Sequence, residues 1–358
     1  MRIGLYGLPC AGKSFIMDAV KNFEVCAGSK RLLEINPDFH SLTVEEQNNV
    51  RLQFADELKS KDGFIVDGHY AFGDNVVFTE ADGELYDTFI YLYVAPDILK
   101  KRMEDSVKNQ KYVGFDIEKW QLFEIEELRR YCHEHDKDFY IVDNPESGYF
   151  ADISPVLEFI NSLACGFSCV LFAKKCANEI LSKSGEEEVI TLLDGDKTIT
   201  TEDSSGKLGY RTHLFDNNFY TGFQSWRHNL EFADFLRFND IHVDDIDDLS
   251  MSFNNSVLDK VEGQGYILTS GYYGIWNKLA DKLKMPLFYG NQMAAESKYF
   301  ITKELQKAGK RVIALGDGMN DYYMIKQADV GYVVAKTDGS LSRSLKNRNM
   351  EGVEIVGT

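Results

Sequence analysis

Cysteine, proline and long apolar runs are scarce in this 358-residue chain, which has six Cys and six Pro. The cysteines form neither a CxxC metal pair nor the spacing of a disulfide framework. No apolar run reaches the roughly 18 residues of a membrane span, and the longest, 164–173, predicts a buried helix. Residues 1–4 lead directly into a strand pattern, so no signal peptide is expected. We therefore expect a reduced, cytoplasmic protein.

The chain also has fewer positively charged residues than negatively charged ones. The chain has 39 Lys and Arg against 57 Asp and Glu, which gives a net charge of −18. Proteins whose main ligand is a polynucleotide backbone usually carry a basic excess, because phosphate contacts supply much of the affinity. The acidic balance argues against long nucleic acid as a partner, although a local basic groove could exist within it.

Strand and helix patterns alternate along the first half of the chain. Because strands separated by helices form parallel sheets, this order predicts an α/β domain. The predicted strands cover 3–6, 31–35, 64–66, 88–94 and 138–142. The predicted helices begin near Lys13 and cover 44–59, 96–106 and 117–132.

The second half repeats the α/β pattern with an insertion. Its predicted strands are 189–193, 266–269, 311–315 and 330–334. About sixty residues separate the first two, more than a simple crossover needs, which favours a small cap domain. The length also favours two domains. We expect a first domain over 1–150, ended by the turn cluster 144–148, a helical linker over 151–186, and a second domain over 187–358 with its cap at about 200–262 and a cap helix over 226–237.

A glycine-rich loop follows the first predicted strand. Its sequence, Gly7-Leu8-Pro9-Cys10-Ala11-Gly12-Lys13-Ser14, matches the phosphate-binding pattern GxxxxGK[ST]. In such loops the backbone N–H groups of Gly7, Cys10, Ala11 and Gly12 would surround phosphate oxygens. Lys13 would contact the β- and γ-phosphates and Ser14 would bind Mg²⁺. The loop therefore predicts ATP as a ligand.

Two aspartates near this loop have competing interpretations. Asp67 follows the strand over 64–66 and could be the carboxylate on the Mg²⁺ side of the site, or an ordinary turn residue before Gly68. Asp38 lies just past the predicted strand 31–35, where it could accept the proton of an attacking hydroxyl. Capping of a loop is the alternative role for Asp38.

Residues 1–160 resemble the P-loop kinases of nucleosides, nucleotides and other small molecules. The segment 91–102 resembles the strand and helix that lead into the lid of those enzymes. The resemblance implies that Arg102 stabilises the phosphoryl group in transfer. Most members have a further arginine nearby, and this chain has Lys108 and Lys111 instead.

Acidic residues follow two of the strands in the second half. Asp194-Gly195-Asp196-Lys197-Thr198 comes directly after 189–193, and Gly316-Asp317-Gly318-Met319-Asn320-Asp321 comes after 312–315. Ser270-Gly271 ends the strand 266–269, and Lys298 begins a predicted helix. Four carboxylates cannot stay ionised together without cations, so we expect Mg²⁺ and Lys298 to lie among them.

These four motifs, in this order, resemble those of the haloacid-dehalogenase-like phosphatases, over residues 186–358, and most closely the phosphoserine-phosphatase branch. The resemblance implies that Asp194 is the nucleophile that takes the phosphoryl group. It implies that Asp196 is the general acid and base. Ser270 and Lys298 would bind the phosphoryl oxygens.

The same resemblance implies a magnesium site. Its ligands would be Asp194, Asp317 and the carbonyl of Asp196, with Asp321 in support. Lys197 occupies a motif position that is usually glycine and adds charge near the site.

Side chains of the cap are candidates for substrate recognition, since binding sites favour aromatic walls with a few placed polar groups. The candidate contacts are Arg211, Arg227 and His228, and the candidate walls are Tyr220, Phe223 and Trp226. Ordinary packing and surface charge are the alternative for each of them.

Three hypotheses for function follow. The first is a bifunctional enzyme that acts on small metabolites, with a Mg²⁺-dependent phosphomonoesterase and an ATP-dependent kinase. The second is a polynucleotide 5′-kinase and 3′-phosphatase that repairs nucleic-acid ends, with Asp38 as the base. The third is a phosphatase that is regulated by a nucleotide-sensing P-loop domain.

Overall fold

Two parallel β-sheets organise the computed structural model, which describes residues 1–143, 152–242 and 251–357. One sheet lies in each of two units, Met1–Phe167 and Ser168–Thr358. The predicted class, two α/β units with parallel sheets, is confirmed. The predicted turn cluster at 144–148 lies outside the described residues.

The first unit has a five-stranded sheet in the order β2-β3-β1-β6-β7, with all neighbours parallel. The strands of this unit are β1 (Arg2–Tyr6), β2 (Glu24–Ala27), β3 (Phe64–Asp67), the short pair β4 (Ala71–Phe72) and β5 (Asn75–Val76), β6 (Thr88–Tyr93) and β7 (Asp138–Asp143). The helices are α1 (Lys13–Ala19), α2 (Gly28–Ile35), α3 (Val44–Lys59), α4 (Glu80–Leu85), α5 (Pro96–Glu104), α6 (Ile117–Glu134) and α7 (Ser154–Ala164).

One predicted strand is wrong. Residues 31–35 belong to α2, and the second strand is β2, which starts seven residues earlier at Glu24. Arg31 and Glu34 form an ion pair one helical turn apart, while Leu32 is buried. β2 lies at the edge of the sheet and is largely exposed, and its four residues, three of them apolar, are too few to distinguish a strand from a helix segment.

Local sequence explains where the helices of this unit begin. The Thr43 hydroxyl accepts a hydrogen bond from the backbone N–H of Glu46, and the Glu46 carboxylate accepts one from the backbone N–H of Thr43, a capping box that starts α3. α5 begins with Pro96, whose missing N–H costs nothing in the first turn. The predicted helices over 44–59, 96–106 and 117–132 are confirmed with small shifts at their ends.

The second unit has a six-stranded parallel sheet in the order β10-β9-β8-β11-β12-β13. Its strands are β8 (Val189–Leu193), β9 (Gln264–Thr269), β10 (Leu287–Tyr289), β11 (Arg311–Gly316), β12 (Val330–Val334) and β13 (Val353–Val356). Its helices are α8 (Cys169–Ser184), α9 (Ser204–Lys207), α10 (Gly222–Phe238), α11 (Asn255–Leu258), α12 (Tyr273–Leu283), α13 (Ala295–Lys307) and α14 (Met319–Gln327). The four predicted strands are confirmed, and the sequence missed the two short edge strands β10 and β13.

The range 151–186, predicted as a linker, is divided between the two units. α7 belongs to the first unit, where Phe159 packs edge to face on Tyr140 of β7 with ring centroids 5.1 Å apart. α8 belongs to the second unit, where Ala173 and Ile180 join the same core as Phe300 of α13.

The chain between β8 and β9 forms an insert, defined here as residues 200–262, of which 243–250 lie outside the described part. α10 covers and extends the helix predicted over 226–237. Tyr210, Phe232 and Leu236 form a small apolar core of this insert. The insert thus has side chains of its own to bury, as a cap domain would.

Within the described ranges, no single helix combines the length and apolar character needed to cross a membrane. The bent pair α7 and α8 reaches that length and composition only when the two helices are counted together.

Gln121 of α6 joins that helix to the sheet of the first unit. Its fully buried side-chain amide donates to the carbonyl oxygen of Val94 at 2.8 Å and accepts from the Val94 N–H at 3.3 Å. These two bonds satisfy backbone groups just past the end of β6 that the sheet leaves unpaired.

We expect Gln121→Ala to lower the local stability of β6 and β7 by about 1–3 kcal/mol, because two buried backbone groups lose their partners. Hydrogen exchange of the strand amides in the full chain would measure the change. Lys119→Ala, on the exposed face of the same helix, is the matched control. Equal protection in both variants would contradict the assigned role.

Candidate active sites

The phosphate loop lies between β1 and α1, and its backbone requires glycine. Gly7 and Gly12 have φ angles of +144° and +100°, which disfavour any residue with a side chain. A Cβ atom at Gly7 would lie 2.8 Å from the carbonyl oxygen of Leu92. α1 starts at Lys13, so the N-terminus of a helix faces the loop as a phosphate site requires.

Lys13 is buried within this loop. Its ammonium group donates to the carbonyl oxygens of Gly7 and Leu8. Burial lowers the pKa of Lys13 to about 8, against the opposing charges of Asp67 and Glu124. Ser14 follows as an exposed residue in the first turn of α1.

Asp67 is the last residue of β3, and its side chain contacts the backbone at the start of α2. Its carboxylate accepts from the N–H of Gly28 at 2.7 Å, at the start of α2. A Cβ atom at Gly28 would lie 2.5 Å from the Asp67 carbonyl oxygen, so this approach also requires glycine. Asp67 therefore has a structural role at α2 in addition to its electrostatic influence on Lys13.

Arg102 of α5 reaches the phosphate loop. Its guanidinium donates to the carbonyl oxygen of Cys10 at 3.3 Å, and Asn109 donates to the Cys10 sulfur at 3.1 Å.

Asp38 does not follow a strand as predicted, because the residues expected to form that strand belong to α2. Its side chain is exposed, and its carbonyl accepts from Ser41. No contact of the Asp38 side chain with the loop is found within the described ranges.

Sequence reasoning missed two side chains near Lys13, one of them buried and the other partly buried. Glu124 of α6 accepts hydrogen bonds from the Ala71 N–H, the Tyr91 hydroxyl and the indole of Trp120 at 2.9–3.2 Å. Burial raises its pKa to about 7 despite these bonds. The signal was present, because Glu124 lies one turn after Trp120 on the buried face of α6.

The second missed residue is His69, just past β3. Its ring Nδ1 is buried without a hydrogen-bond partner in the described part of the chain. Burial, together with the positive charges of Lys13 and Lys108, holds the pKa of His69 well below its usual value. The imidazole is therefore neutral at pH 7 and presents an unpaired ring nitrogen near the phosphate loop.

In the second unit, Asp194 directly follows β8, and its side chain contacts a buried lysine. One carboxylate oxygen lies 2.6 Å from the ammonium of Lys298, and the other accepts from the Thr198 hydroxyl at 3.3 Å. The same ammonium lies 2.7 Å from Asp321 of α14. Burial acts to lower the pKa of Lys298, but the two carboxylates raise it, and the net shift is upward.

Three carboxylates form a group with the geometry of a metal site. Oxygens of Asp194, Asp317 and Asp321 lie within 4.8 Å of one another. Burial and the neighbouring carboxylates raise the pKa of Asp317 well above its usual value and that of Asp321 to about 6. One lysine cannot balance three such charges, and carboxylate oxygens are the ligands that Mg²⁺ prefers. The donor set therefore fits a divalent cation.

Asp196 lies in a different environment from Asp194. Its carboxylate accepts from the backbone and hydroxyl of Ser204 at 2.7 and 3.0 Å and from the indole of Trp276 at 3.2 Å. Burial raises its pKa to about 7, near the value that suits a general acid and base at neutral pH. A Cβ atom at Gly271 would lie 2.5 Å from both Asp196 and Trp276, so glycine is required there.

Lys197 forms a turn of the backbone directly after Asp196. It adopts φ +60°, and its ammonium lies 2.6 Å from the carboxylate of Asp203. Burial would raise the pKa of Asp203, but the Lys197 charge prevails and lowers it to about 2. The charge of Lys197 is thus already balanced by an aspartate of the insert.

These residues open into a cavity of about 520 Å³. The motif residues that line it include Asp194, Asp196, Ser270, Asp317 and Asp321. From the insert, the candidate residues Tyr220 and His228 line it, together with Phe215 and Phe232.

The other candidate residues of the insert lie elsewhere. Arg227 forms an ion pair with Glu231 at 2.7 Å, and Phe223 stacks near Trp226 in the buried interior. Neither these side chains nor Arg211 belong to the lining of the cavity formed by the described residues.

Similarity searches agree with the second unit's resemblance. Residues 294–346 match the family model of haloacid dehalogenase-like hydrolases, a range that contains Lys298, Asp317 and Asp321. A comparison with curated proteins found no matching sequence.

Three solved structures each match slightly less than half of this chain. A shikimate kinase from Bacteroides thetaiotaomicron is 19% identical, over 46% of this chain and 98% of its own, with a TM-score of 0.31. A HAD family hydrolase from Salmonella enterica serovar Typhi is 16% identical, over 45% and 66%, with a TM-score of 0.33. A sugar kinase from Janibacter sp. HTCC2649 is 16% identical, over 45% and 94%, with a TM-score of 0.32.

TM-scores this low carry no argument about this chain. The family match does, because it lies on motif residues that the structure brings together. It confirms the predicted resemblance of the second unit to haloacid dehalogenase-like hydrolases, and with it the prediction that the chain is an enzyme.

Proposed function

We propose that the second unit is a Mg²⁺-dependent phosphomonoesterase that works through an aspartyl-phosphate intermediate. The observation that carries this proposal is the contrast between two carboxylates of one motif. Asp194 lies against Lys298 in the group of three carboxylates, whereas Asp196 is held by Ser204 and Trp276. Carboxylates in such different environments suit separate roles as nucleophile and acid.

The first step follows from these contacts. An oxygen of Asp194 attacks the phosphorus and the bond to the leaving oxygen breaks, while Asp196 gives its proton to that oxygen. Lys298 holds Asp194 in place through the 2.6 Å contact. A Mg²⁺ ion bound by Asp194, Asp317 and Asp321 would reduce the repulsion between the nucleophile and the anionic phosphoryl group.

The second step reverses the role of Asp196. Its carboxylate takes a proton from water, the water oxygen attacks the phosphorus, and the bond to Asp194 breaks to release inorganic phosphate. Ser204 and Trp276 hold the Asp196 carboxylate in place during both steps.

We infer that the first unit binds a nucleoside triphosphate and transfers a phosphoryl group to a small molecule. The loop geometry, the buried ammonium of Lys13 and the position of Arg102 at Cys10 support this function. Ser14 and Asp67 are the proposed Mg²⁺-side residues. A bifunctional enzyme with both activities on small metabolites is the function that these features support best.

We expect Asp194→Asn to abolish phosphomonoester hydrolysis, by at least about 1,000-fold in kcat, because the amide is not a nucleophile. Release of phosphate from para-nitrophenyl phosphate would measure it, and ATP affinity should be unchanged. Asp234→Asn, on the exposed surface of the insert, is the control. Substantial turnover by the Asp194 variant would remove Asp194 as the nucleophile.

We expect Lys13→Ala to weaken ATP binding or phosphoryl transfer by about 2–4 kcal/mol, because the loop loses its buried cation. Titration with ATP and a phosphoryl-transfer assay would detect the loss, with the exposed Lys21→Ala as control. Equal ATP affinity and transfer in variant and parent would contradict the role of Lys13. A parallel loss of phosphatase activity would favour the nucleotide-sensing hypothesis.

The nature of the substrate separates the metabolite and end-repair hypotheses. Residues of the insert line the cavity, and the net charge of −18 repels a polyanion over a screening length of about 8 Å. We expect kcat/KM for the best small phosphate ester to exceed that for a 3′-phosphorylated oligonucleotide by at least about 100-fold. Efficient oligonucleotide turnover, with affinity that falls steeply with salt, would favour end repair instead.

A further inference from the structure

Two cations of the second unit line its cavity, and their side chains have no hydrogen-bond or ion-pair partner among the described residues. Lys336 and Arg343 lie on the segment that follows β12, and both line the cavity that contains Asp194 and Asp196. Neither side chain donates a hydrogen bond to, or forms an ion pair with, any residue in the described part of the chain. The charge of Lys336 makes a small contribution to the lowered pKa of Asp338, whose main partner is Ser340.

The other cations at this site are already committed. Lys298 contacts both Asp194 and Asp321, and Lys197 contacts Asp203. Among the described residues, Lys336 and Arg343 are therefore the cationic side chains of the cavity lining that remain able to bind an anion.

The segment that carries these two residues is fixed to the catalytic end of the unit. Leu345 is buried in the main core, and the Ser344 hydroxyl accepts from the N–H of Met319 at 3.0 Å. Met319 is the first residue of α14, the helix that carries Asp321. The backbone next to Arg343 is therefore anchored to the end of the unit that carries Asp321.

Lys336 and Arg343 are positive charges beyond those that one phosphoryl group needs. The proposed function assigns the phosphoryl group to Asp194 and to the Mg²⁺ that the three carboxylates would hold. A cavity of about 520 Å³ is large enough for a leaving group as well. Five aspartates besides Asp194 line the cavity, so a ligand with a second negative charge would be repelled unless cations received it.

We propose that the substrate of the second unit is a phosphomonoester whose leaving group carries a second anionic group, a carboxylate or a phosphate, which Lys336 and Arg343 bind. This inference rests on the proposed phosphatase function. It moves recognition from the insert arginines, one of which is paired with Glu231, to the segment after β12. Charged donors suit this task, because hydrogen bonds between ions are stronger than neutral ones.

The test compares esters that differ only in the second anion. For a carboxylate, 3-phosphoglycerate is compared with glycerol 3-phosphate; for a phosphate, propane-1,3-diyl bisphosphate is compared with propyl phosphate. We expect the parent enzyme to prefer one of the two doubly anionic esters, with a kcat/KM ratio on the order of tenfold or more. The preferred pair identifies which anion is bound.

Variants then locate the selectivity. We expect Lys336→Ala and Arg343→Ala each to lower this ratio by on the order of tenfold, mainly through KM, and Arg343→Lys to restore part of it. Lys346→Ala is the matched control, an exposed lysine of the same segment outside the cavity lining, and should leave the ratio unchanged. Unaltered melting temperatures would show that the variants are folded.

Two results would overturn the proposal. One is a parent ratio near one for both pairs of esters, and the other is a ratio that neither alanine variant changes. The Asp194→Asn variant distinguishes failure of the anion site from failure of the proposed phosphatase function. If Asp194→Asn removes all turnover but the ratios do not respond, the phosphatase function stands and the anion site fails.

Discussion

The buried ammonium of Lys298 fixes the catalytic end of the second unit. An isolated charge in a protein interior costs several kcal/mol, and here two carboxylates at 2.6 and 2.7 Å offset that cost. The lysine comes from α13, Asp194 from the end of β8 and Asp321 from α14, so one cation joins three elements. Removing the cation would leave two buried carboxylates facing each other. The position of Asp194, the proposed nucleophile, thus depends on this ion pair network.

The same constraint explains how two aspartates of one motif acquire different chemistry. Asp194 points to Lys298, while the backbone beyond it turns at Lys197, whose positive φ reverses the chain. This turn brings Asp196 beside Ser204 and Trp276, which lie in the insert and in α12. Asp194, the proposed nucleophile, is therefore paired with a cation, whereas Asp196, the proposed acid, is held by neutral donors, and burial raises its pKa to about 7.

The sequence could predict the group of Asp194, Asp317 and Asp321 because the carboxyl ends of neighbouring parallel strands meet at one edge of a sheet. It could not predict Trp276, which lies 80 residues from Asp196 and reads as an ordinary core residue. The strand expected over 31–35 was wrong for a related reason. The true edge strand, Glu24–Ala27, is short and largely exposed, so its local sequence does not distinguish it, and parallel pairing with β3 determines it.

Each unit has a buried lysine at its site, and the two differ in a way that suits their roles. Lys13 donates to neutral carbonyl oxygens and has no ion pair within the described residues, so burial prevails and lowers its pKa. Lys298 contacts two carboxylates directly, and they raise its pKa. An incoming phosphate would give Lys13 the anionic partner that the folded chain does not supply. Lys298 already has its partners, so in the proposed mechanism it holds Asp194, while Mg²⁺, Lys336 and Arg343 would receive the charge of the substrate.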